Sequence, residues 1–267
     1  KGIESFKGSA ENKTVLRIQA GENWDDFVDH AIEHGLAGVE GMAGIPGTVG
    51  AGPVQNIGAY GQELSDTFVR LEFVDYETHE IVILEKADLA FGYRDSVIKR
   101  GRPGLITWVE LELEHFGGLS APISSGQIAG AFGVQKGDQL PLREVAESVR
   151  KMRATKGMLL SDNDPDSVSC GSFFTNPIVS RAFAATMPSE CPRWDVENED
   201  QQKLSAAWLI EQSGFHKGFC RGNAGLSTRH TLALINRGDA AAKDILALKN
   251  EIQTAVKKRF GVELQPE

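Results

Sequence analysis

The sequence predicts an α+β fold in two parts. A domain with a mixed, largely antiparallel sheet comes first, and a smaller α+β domain follows. Three observations predict it. Alternating apolar runs recur at 13–21, 67–85 and 104–115, with one amphipathic helical stretch among them. Turn formers crowd "LLSDNDPDSVSCG" at 159–171, ahead of a second alternation of helix and strand. The 267 residues, 41% apolar and 24% charged, are enough for two ordinary cores. The expected boundaries are 1–160, 161–260 and a C-terminal return at 261–267.

"KTVLRIQAG" (13–21) reads as a strand with Leu16, Ile18 and Ala20 on one face. "ENWDDFVDHAIEHG" (22–35) reads as a helix capped by Asn23, with Asp25 and Asp26 in its first turn and Gly35 as its stop. Trp24, Phe27, Val28, Ala31 and Ile32 form its buried stripe. Two strands around a turn near Glu77–His79 account for 67–85, and 104–115 is another strand. "PLREVAESVRKMRATKG" (141–157) is a helix with Val145, Val149 and Met152 on one side and basic residues at its end. Beyond the polar loop come a helix at 203–215, a strand at 230–236 and a long helix at 241–261.

The formal charge of −9 argues against a broad nucleic-acid surface. No run of 18 apolar residues offers a membrane span. Cys170, Cys191 and Cys220 are odd in number and scattered, without a CxxC pair. They fit a reducing, cytoplasmic compartment better than a disulfide framework. The six histidines show neither HxH nor HExxH spacing, so no metal site is expected.

Four stretches carry candidate chemistry. "GMAGIPGTVGAGPVQNIGAYG" (41–61) holds seven glycines and no charge, with apolar residues interleaved. It lacks both GxxxxGK[ST] and GxGxxG, yet its backbone can approach a phosphate or a flat ring, and Gln55 and Asn56 add paired amides. A tightly turned structural loop explains it equally well. "FGYRDSVIK" (91–99) offers the Arg94 fork for a carboxylate or phosphate; a surface ion pair with Asp95 is the simpler explanation. "CGSFFTNP" (170–177) places Ser172 after a glycine and before two aromatics, where a hydroxyl can donate a proton or merely bond the backbone. "RKMRATKG" (150–157) puts Arg150, Arg153 and Lys156 broadly on one side of a helix end, either a seat for a diphosphate or a solvated charged face.

Taken in order, "IPGTVGAGPVQNIGAYGQEL", "FGYRDS", "GSFFTNP", "KLSAAWLIEQSGFHKG" and "LQPE" resemble one family, the flavoprotein UDP-N-acetylenolpyruvoylglucosamine reductases, also called UDP-N-acetylmuramate dehydrogenases. The resemblance covers nearly the whole chain. It implies FAD, held by an FAD-binding domain at 1–160, a substrate-binding domain at 161–260, and NADPH as reductant. It implies reduction of the enolpyruvyl group of a UDP-sugar to UDP-N-acetylmuramate, for peptidoglycan synthesis in the cytoplasm. It further implies a monomer that partners neither nucleic acid nor membrane.

By resemblance, Arg94 stabilises an enolate-like charge, Glu267 is a carboxylic partner at the same substrate carboxylate, and Ser172 is the proton donor. Pro46, Gly47, Gly50, Gln55, Asn56, Gly58, Tyr60 and Arg153 match flavin-side positions. Lys156, Asn176, Lys217 and His230 match UDP-sugar contacts, and Ser125 stands in "ISSGQI" where members with a longer central loop carry tyrosine. The family's N-terminal segment, with its own glycine-rich diphosphate loop, and the strand that follows the terminal glutamate are expected to lie outside these residues. Weak FAD retention and little activity are the corresponding expectation for this stretch alone. A flavin-dependent oxidase on the same scaffold and a non-catalytic nucleotide-binding fragment are the alternatives.

Overall fold

The computed structural model describes residues 2–267. It divides into two compact units, one ending at Met152 and one beginning at Arg153. The division falls in the last turn of a helix, and the polar stretch 159–171 lies inside the second unit.

The first unit opens with β1 (Ile3–Lys7) and β2 (Lys13–Gln19). Helix α1 (Trp24–Glu33) follows, then β3 (Leu36–Ala37), a hairpin of β4 (Gly58–Ala59) and β5 (Gln62–Glu63), and the single turn α2 (Leu64–Thr67). Strands β6 (Phe68–Asp75) and β7 (Ile81–Glu85), the turn α3 (Lys86–Leu89) and strand β8 (Gly104–His115) come next. Helices α4 (Gly126–Phe132) and α5 (Leu142–Thr155) complete it. The main sheet runs β1-β2-β8-β6-β7 with β3 beside β8, and every pairing is antiparallel.

Register follows from the apolar pattern. Leu16 faces Leu111, and Val109 stands between Ile18 and Leu71, so one face of the sheet is carbon. Helix α1 covers part of this core with the five residues of its expected stripe, all buried. Its Asn23 cap accepts from Asp25 N at 2.9 Å and Asp26 N at 3.2 Å. The opposite face is ionic. Glu110 lies between Arg17 (2.6 Å) and Arg70 (2.7 Å), and the Arg17 guanidinium stacks 4.2 Å from the Trp108 ring centre.

The second unit holds β9 (Ile178–Ser180), α6 (Arg181–Ala185), β10 (Arg193–Asp195), β11 (Gln201–Leu204) and α7 (Ala206–Gln212). It continues with β12 (Cys220–Arg221), β13 (Ala224–Leu226), β14 (Leu234–Asn236) and α8 (Ala242–Phe260). Two small antiparallel sheets form, β10-β11-β9 and β12-β13-β14. Leu204, Leu209, Ile210, Leu226, Leu248 and Ile252 centre its core.

Two expected elements are shorter than the sequence pattern implies. The helix expected at 203–215 begins at Ala206, because Lys203 and Leu204 pair in β11 and Ser205 caps the helix. The strand expected at 230–236 begins at Leu234, because the preceding residues form a loop in which Leu232 N donates to His230 Nδ1 and Thr228 N to Asp166. Among the described residues no helix is long and apolar enough to cross a membrane.

Candidate functional site

In the first unit the glycine-rich stretch folds into a 3₁₀ turn, Val49–Val54, followed by the β4–β5 hairpin. Several of its glycines answer to the protein itself. A Cβ on Gly50 would lie 2.5 Å from the Ala20 Cβ. One on Gly58 would lie 2.6 Å from Gln62 O and 2.9 Å from Arg94 Nη1. Gly47 is different: it is exposed, its φ is +114°, and a Cβ there would meet nothing within 4 Å. Pro46, Gln55 and Tyr60 are half-buried beside these positions.

A mostly apolar cavity of about 550 Å³ opens where Thr48, Gly50 and Val54 meet Ala20, Phe73 and the start of β8. Of the expected flavin-side residues, Gly50 lines it. The mostly apolar lining suits a ring system, and the exposed backbone at Gly47, next to the lining residue Thr48, leaves room for a polar tail.

Asn56 holds this region in shape. It is 1% exposed and sits at φ +50°, a conformation asparagine tolerates. Its Nδ2 donates to Glu63 Oε2 and to Gly92 O, both at 3.0 Å, and its Oδ1 accepts from Ser65 N at 2.9 Å.

Arg94 occupies the third position of a tight turn closed by Gly92 and Asp95. Its φ is +53°, where glycine is usual. The guanidinium offsets that strain: Nη1 donates to Asn56 O at 3.2 Å and Glu63 Oε1 at 3.0 Å, and Nη2 donates to Gly58 O. Asp95 pairs with Arg100 instead. The ion pair expected within "YRDS" is therefore replaced by one to Glu63. Sequence reading passed over Glu63, whose carboxylate joins Arg94 to Asn56; "GQEL" shows only a helix-capping pattern.

Arg150 turns away from the expected basic seat. Its guanidinium makes a forked contact with Asp25 (2.7 and 3.1 Å) and another with Asp29 at 2.7 Å. Ser125 is the N-cap of α4 and accepts from Ile128 N at 3.4 Å. That local role explains a hydroxyl residue at this place.

In the second unit the segment that follows Ser172 is bonded to the one that ends in Glu267. Phe173 O accepts from Glu267 N at 2.8 Å, and Gln265 O accepts from Thr175 N at 3.0 Å. Phe174 and Pro266 form the bridge between the two segments. On the other side, Phe173 N donates to Leu232 O at 2.8 Å. Ser172 therefore immediately precedes a residue, Phe173, that is bonded to both segments.

The same unit holds several basic groups. Arg153 is buried; its Nη2 donates to Met158 O at 2.9 Å and lies 3.7 Å from where a Gly171 Cβ would be. Burial, then the Arg153 charge, lowers the Lys156 pKa. His230 accepts from Leu232 N at Nδ1 (3.1 Å), so its neutral ring carries the proton on Nε2. Burial, then the charges of Lys156 and Lys217, pulls its pKa down to about 4. Lys217 is exposed, next to Gly218, whose N donates to Ser227 O at 3.0 Å. Asn176 Oδ1 accepts from Ala206 N at 3.0 Å, which ties it to α7. Among the described residues no cluster of three or more His, Cys, Asp or Glu could hold a metal.

The His230 shift carries a stability prediction. The unfolded chain takes up this proton near the ordinary 6.5 while the folded chain resists until about 4. Stability therefore falls as pH drops below 6.5 and levels off below 4, by on the order of 3 kcal/mol. His230→Asn removes that slope. Urea unfolding of the two proteins across this range checks it: the wild-type curve steepens relative to the variant, and parallel curves would refute the burial.

The Phe173–Thr175 segment beside Ser172 thus meets Gln265–Glu267 by backbone bonds, in a unit where the charges of Lys156 and Lys217 act on a neutral His230. Comparison with known proteins gives matches in both units. Residues 164–267 match the family described as UDP-N-acetylenolpyruvoylglucosamine reductase, C-terminal domain, and residues 2–85 match an FAD binding domain family. The UDP-N-acetylenolpyruvoylglucosamine reductase of Leifsonia xyli subsp. xyli is 42% identical over 301 residues, covering 100% of this chain and 79% of its own. That of Streptomyces coelicolor is 45% identical over 272 residues, covering 97% and 70%. The crystal structure of the enzyme of that name from Thermus caldophilus matches with a TM-score of 0.60 at 25% identity, over 94% of this chain and 71% of that one. With identity of this order spread along the whole length, the chain belongs to the UDP-N-acetylenolpyruvoylglucosamine reductase family.

Proposed function

We propose that the protein reduces the enolpyruvyl group of UDP-N-acetylglucosamine enolpyruvate to the lactyl group of UDP-N-acetylmuramate, in the cytoplasm, with FAD as cofactor and NADPH as reductant. The observation that carries this reading is the pairing of the segment that follows Ser172 with the terminal Pro266–Glu267 segment, inside a unit that holds Arg153, Lys156, Lys217 and His230.

FAD, when bound, would supply hydride chemistry for reduction of the enolpyruvyl double bond. Pro46, Gly47, Gly50, Gln55, Gly58, Tyr60 and Arg153 are the residues proposed to hold FAD, while Asn56, buried with its side-chain amide engaged, shapes the segment that does so. The protein's remaining task is electrostatic and protic. Negative charge develops toward the substrate carboxylate, and Arg94 stabilises it with a guanidinium already fixed by Asn56, Gly58 and Glu63. Ser172 Oγ gives its proton to the carbon that bears the ether oxygen, and the developing enolate makes so weak an acid sufficient. Glu267 acts at the same carboxylate as a protonated or bridged partner, since two bare carboxylates would repel. Lys156, Lys217, Asn176 and His230 bind the UDP-sugar, with His230 donating from Nε2.

Kinetics with the FAD-loaded protein test the proposal. NADPH is consumed only when the enolpyruvyl UDP-sugar is present, mole for mole. NADPH oxidation that ignores the sugar, or oxygen uptake with alcohols or free sugars, would count against it.

A further inference from the structure

Residues 227–233 join β13 to β14 and touch the segments that carry the substrate-side groups of the second unit. Ser227 N donates to Ala233 O at 2.9 Å and closes the loop. Ser227 O receives Gly218 N, beside Lys217, and Leu232 O receives Phe173 N, beside Ser172. Arg229 Nη1 donates to Ala154 O at 2.7 Å, near Lys156. His230 lies within the loop.

Thr228, by contrast, is held by one carboxylate. Asp166 is 5% exposed. It accepts from Thr228 N at 3.2 and 3.1 Å and from Thr228 Oγ1, with Arg229 Nε at 3.9 Å. The anchor is itself fixed. Asp166 N donates to Asp164 Oδ1 at 3.0 Å, and Ser167 Oγ donates to Ser161 O (2.9 Å) and Asp164 O (2.8 Å). Gly157, at φ +67°, passes so close that an added Cβ would stand 3.0 Å from Asp166 Cβ. A carboxylate this enclosed is tolerable only with its donors in place, so it holds them firmly.

We propose that Asp166 is a positioning residue: by clamping Thr228 it sets the 227–233 loop so that His230 stands with Lys156 and Lys217 to receive the anionic part of the substrate. The inference rests on the function proposed above. Its effect falls on binding more than on chemistry, because Phe173, next to Ser172, has a second holder in the Glu267 N–Phe173 O bond.

The test uses Asp166→Asn and Thr228→Val in the FAD-loaded holoenzyme. Each raises KM for the enolpyruvyl UDP-sugar about tenfold or more and changes kcat less than about threefold. Each also moves the His230 midpoint, read by NMR of ¹³C-labelled histidine and assigned with His230→Asn, up from about 4 toward 6.5 as water reaches the ring. A merely structural weakening lowers the melting temperature but leaves that midpoint in place. If Asp166→Asn does not fold, Thr228→Val decides alone. Folded variants with wild-type KM, or with a raised KM and an unmoved His230 midpoint, overturn the proposal. If the wild-type holoenzyme does not turn over the sugar, the functional reading falls, while the midpoint still decides whether the clamp sets His230.

Discussion

Ser172→Ala lowers kcat by about 10³-fold and leaves KM for the UDP-sugar within about threefold, because a positioned proton donor contributes 10²–10⁴ to rate and little to ground-state binding. The geometry explains why no neighbour substitutes for it. The backbone of the next residue is held by Phe173 N donating to Leu232 O and Phe173 O accepting from Glu267 N, bonds that do not involve the Ser172 hydroxyl. Cys170, two residues earlier, is exposed, and the intervening Gly171 has φ +88°. His230 already uses Nδ1 as an acceptor and is neutral well below pH 7. Stopped-flow reoxidation of the reduced holoenzyme by the sugar reads the loss directly. Ser172→Cys, which restores an ionisable proton at the same Cβ, recovers part of the rate. A Ser172→Ala enzyme with wild-type kcat would remove the serine from the reaction.

Asn56→Asp destabilises the first unit by about 3 kcal/mol or more, which lowers its melting temperature by roughly 6–12 °C. The substitution keeps volume and the positive φ. It replaces two N–H donors, each at 3.0 Å from an oxygen, by a lone-pair-bearing oxygen. One of those facing oxygens belongs to the Glu63 carboxylate, so two anions then meet at a site 1% exposed. Glu63 in turn loosens its hold on Arg94, and turnover falls with stability. Calorimetric melting checks the first effect, and flavin content after gel filtration follows the shape of the glycine-rich segment. Unchanged melting would show that the Asn56 side chain is not the tie described here.

Much of the fold was legible in the sequence where periodicity was strong. Helix α1 could be placed with its cap and its five buried residues because Asn23, two acids and the apolar spacing agree. The β6–β7 hairpin was equally plain, since its turn residues separate two alternating runs. Leu204 misled because its apolar side chain fits a helix stripe, whereas it ends β11 and pairs with Arg193 of β10. The loop at 227–233 was hidden for a similar reason. "HTLALIN" alternates like a strand, but the donors and acceptors ahead of Leu234 are taken by Asp166, Gly218 and Phe173.

At the candidate site, residue types were readable and partners were not. "YRDS" proposes Asp95 as the partner of Arg94, and only the chain's return past Glu63 shows otherwise. The glycines of 41–61 read equally as a surface kept clear for a ligand or as a tightly turned structural loop; Gly50 and Gly58 clear space for Ala20, Gln62 and Arg94. Asp166 sat in a run of turn formers that reads as linker, and nothing local to it points to Thr228.

Proton NMR of the UDP-sugar after incubation with the FAD-loaded protein and NADPH tests the central claim most directly. The account predicts loss of the vinyl signals and growth of a lactyl methyl signal, in step with NADPH consumed. Vinyl signals that persist while NADPH disappears would contradict it.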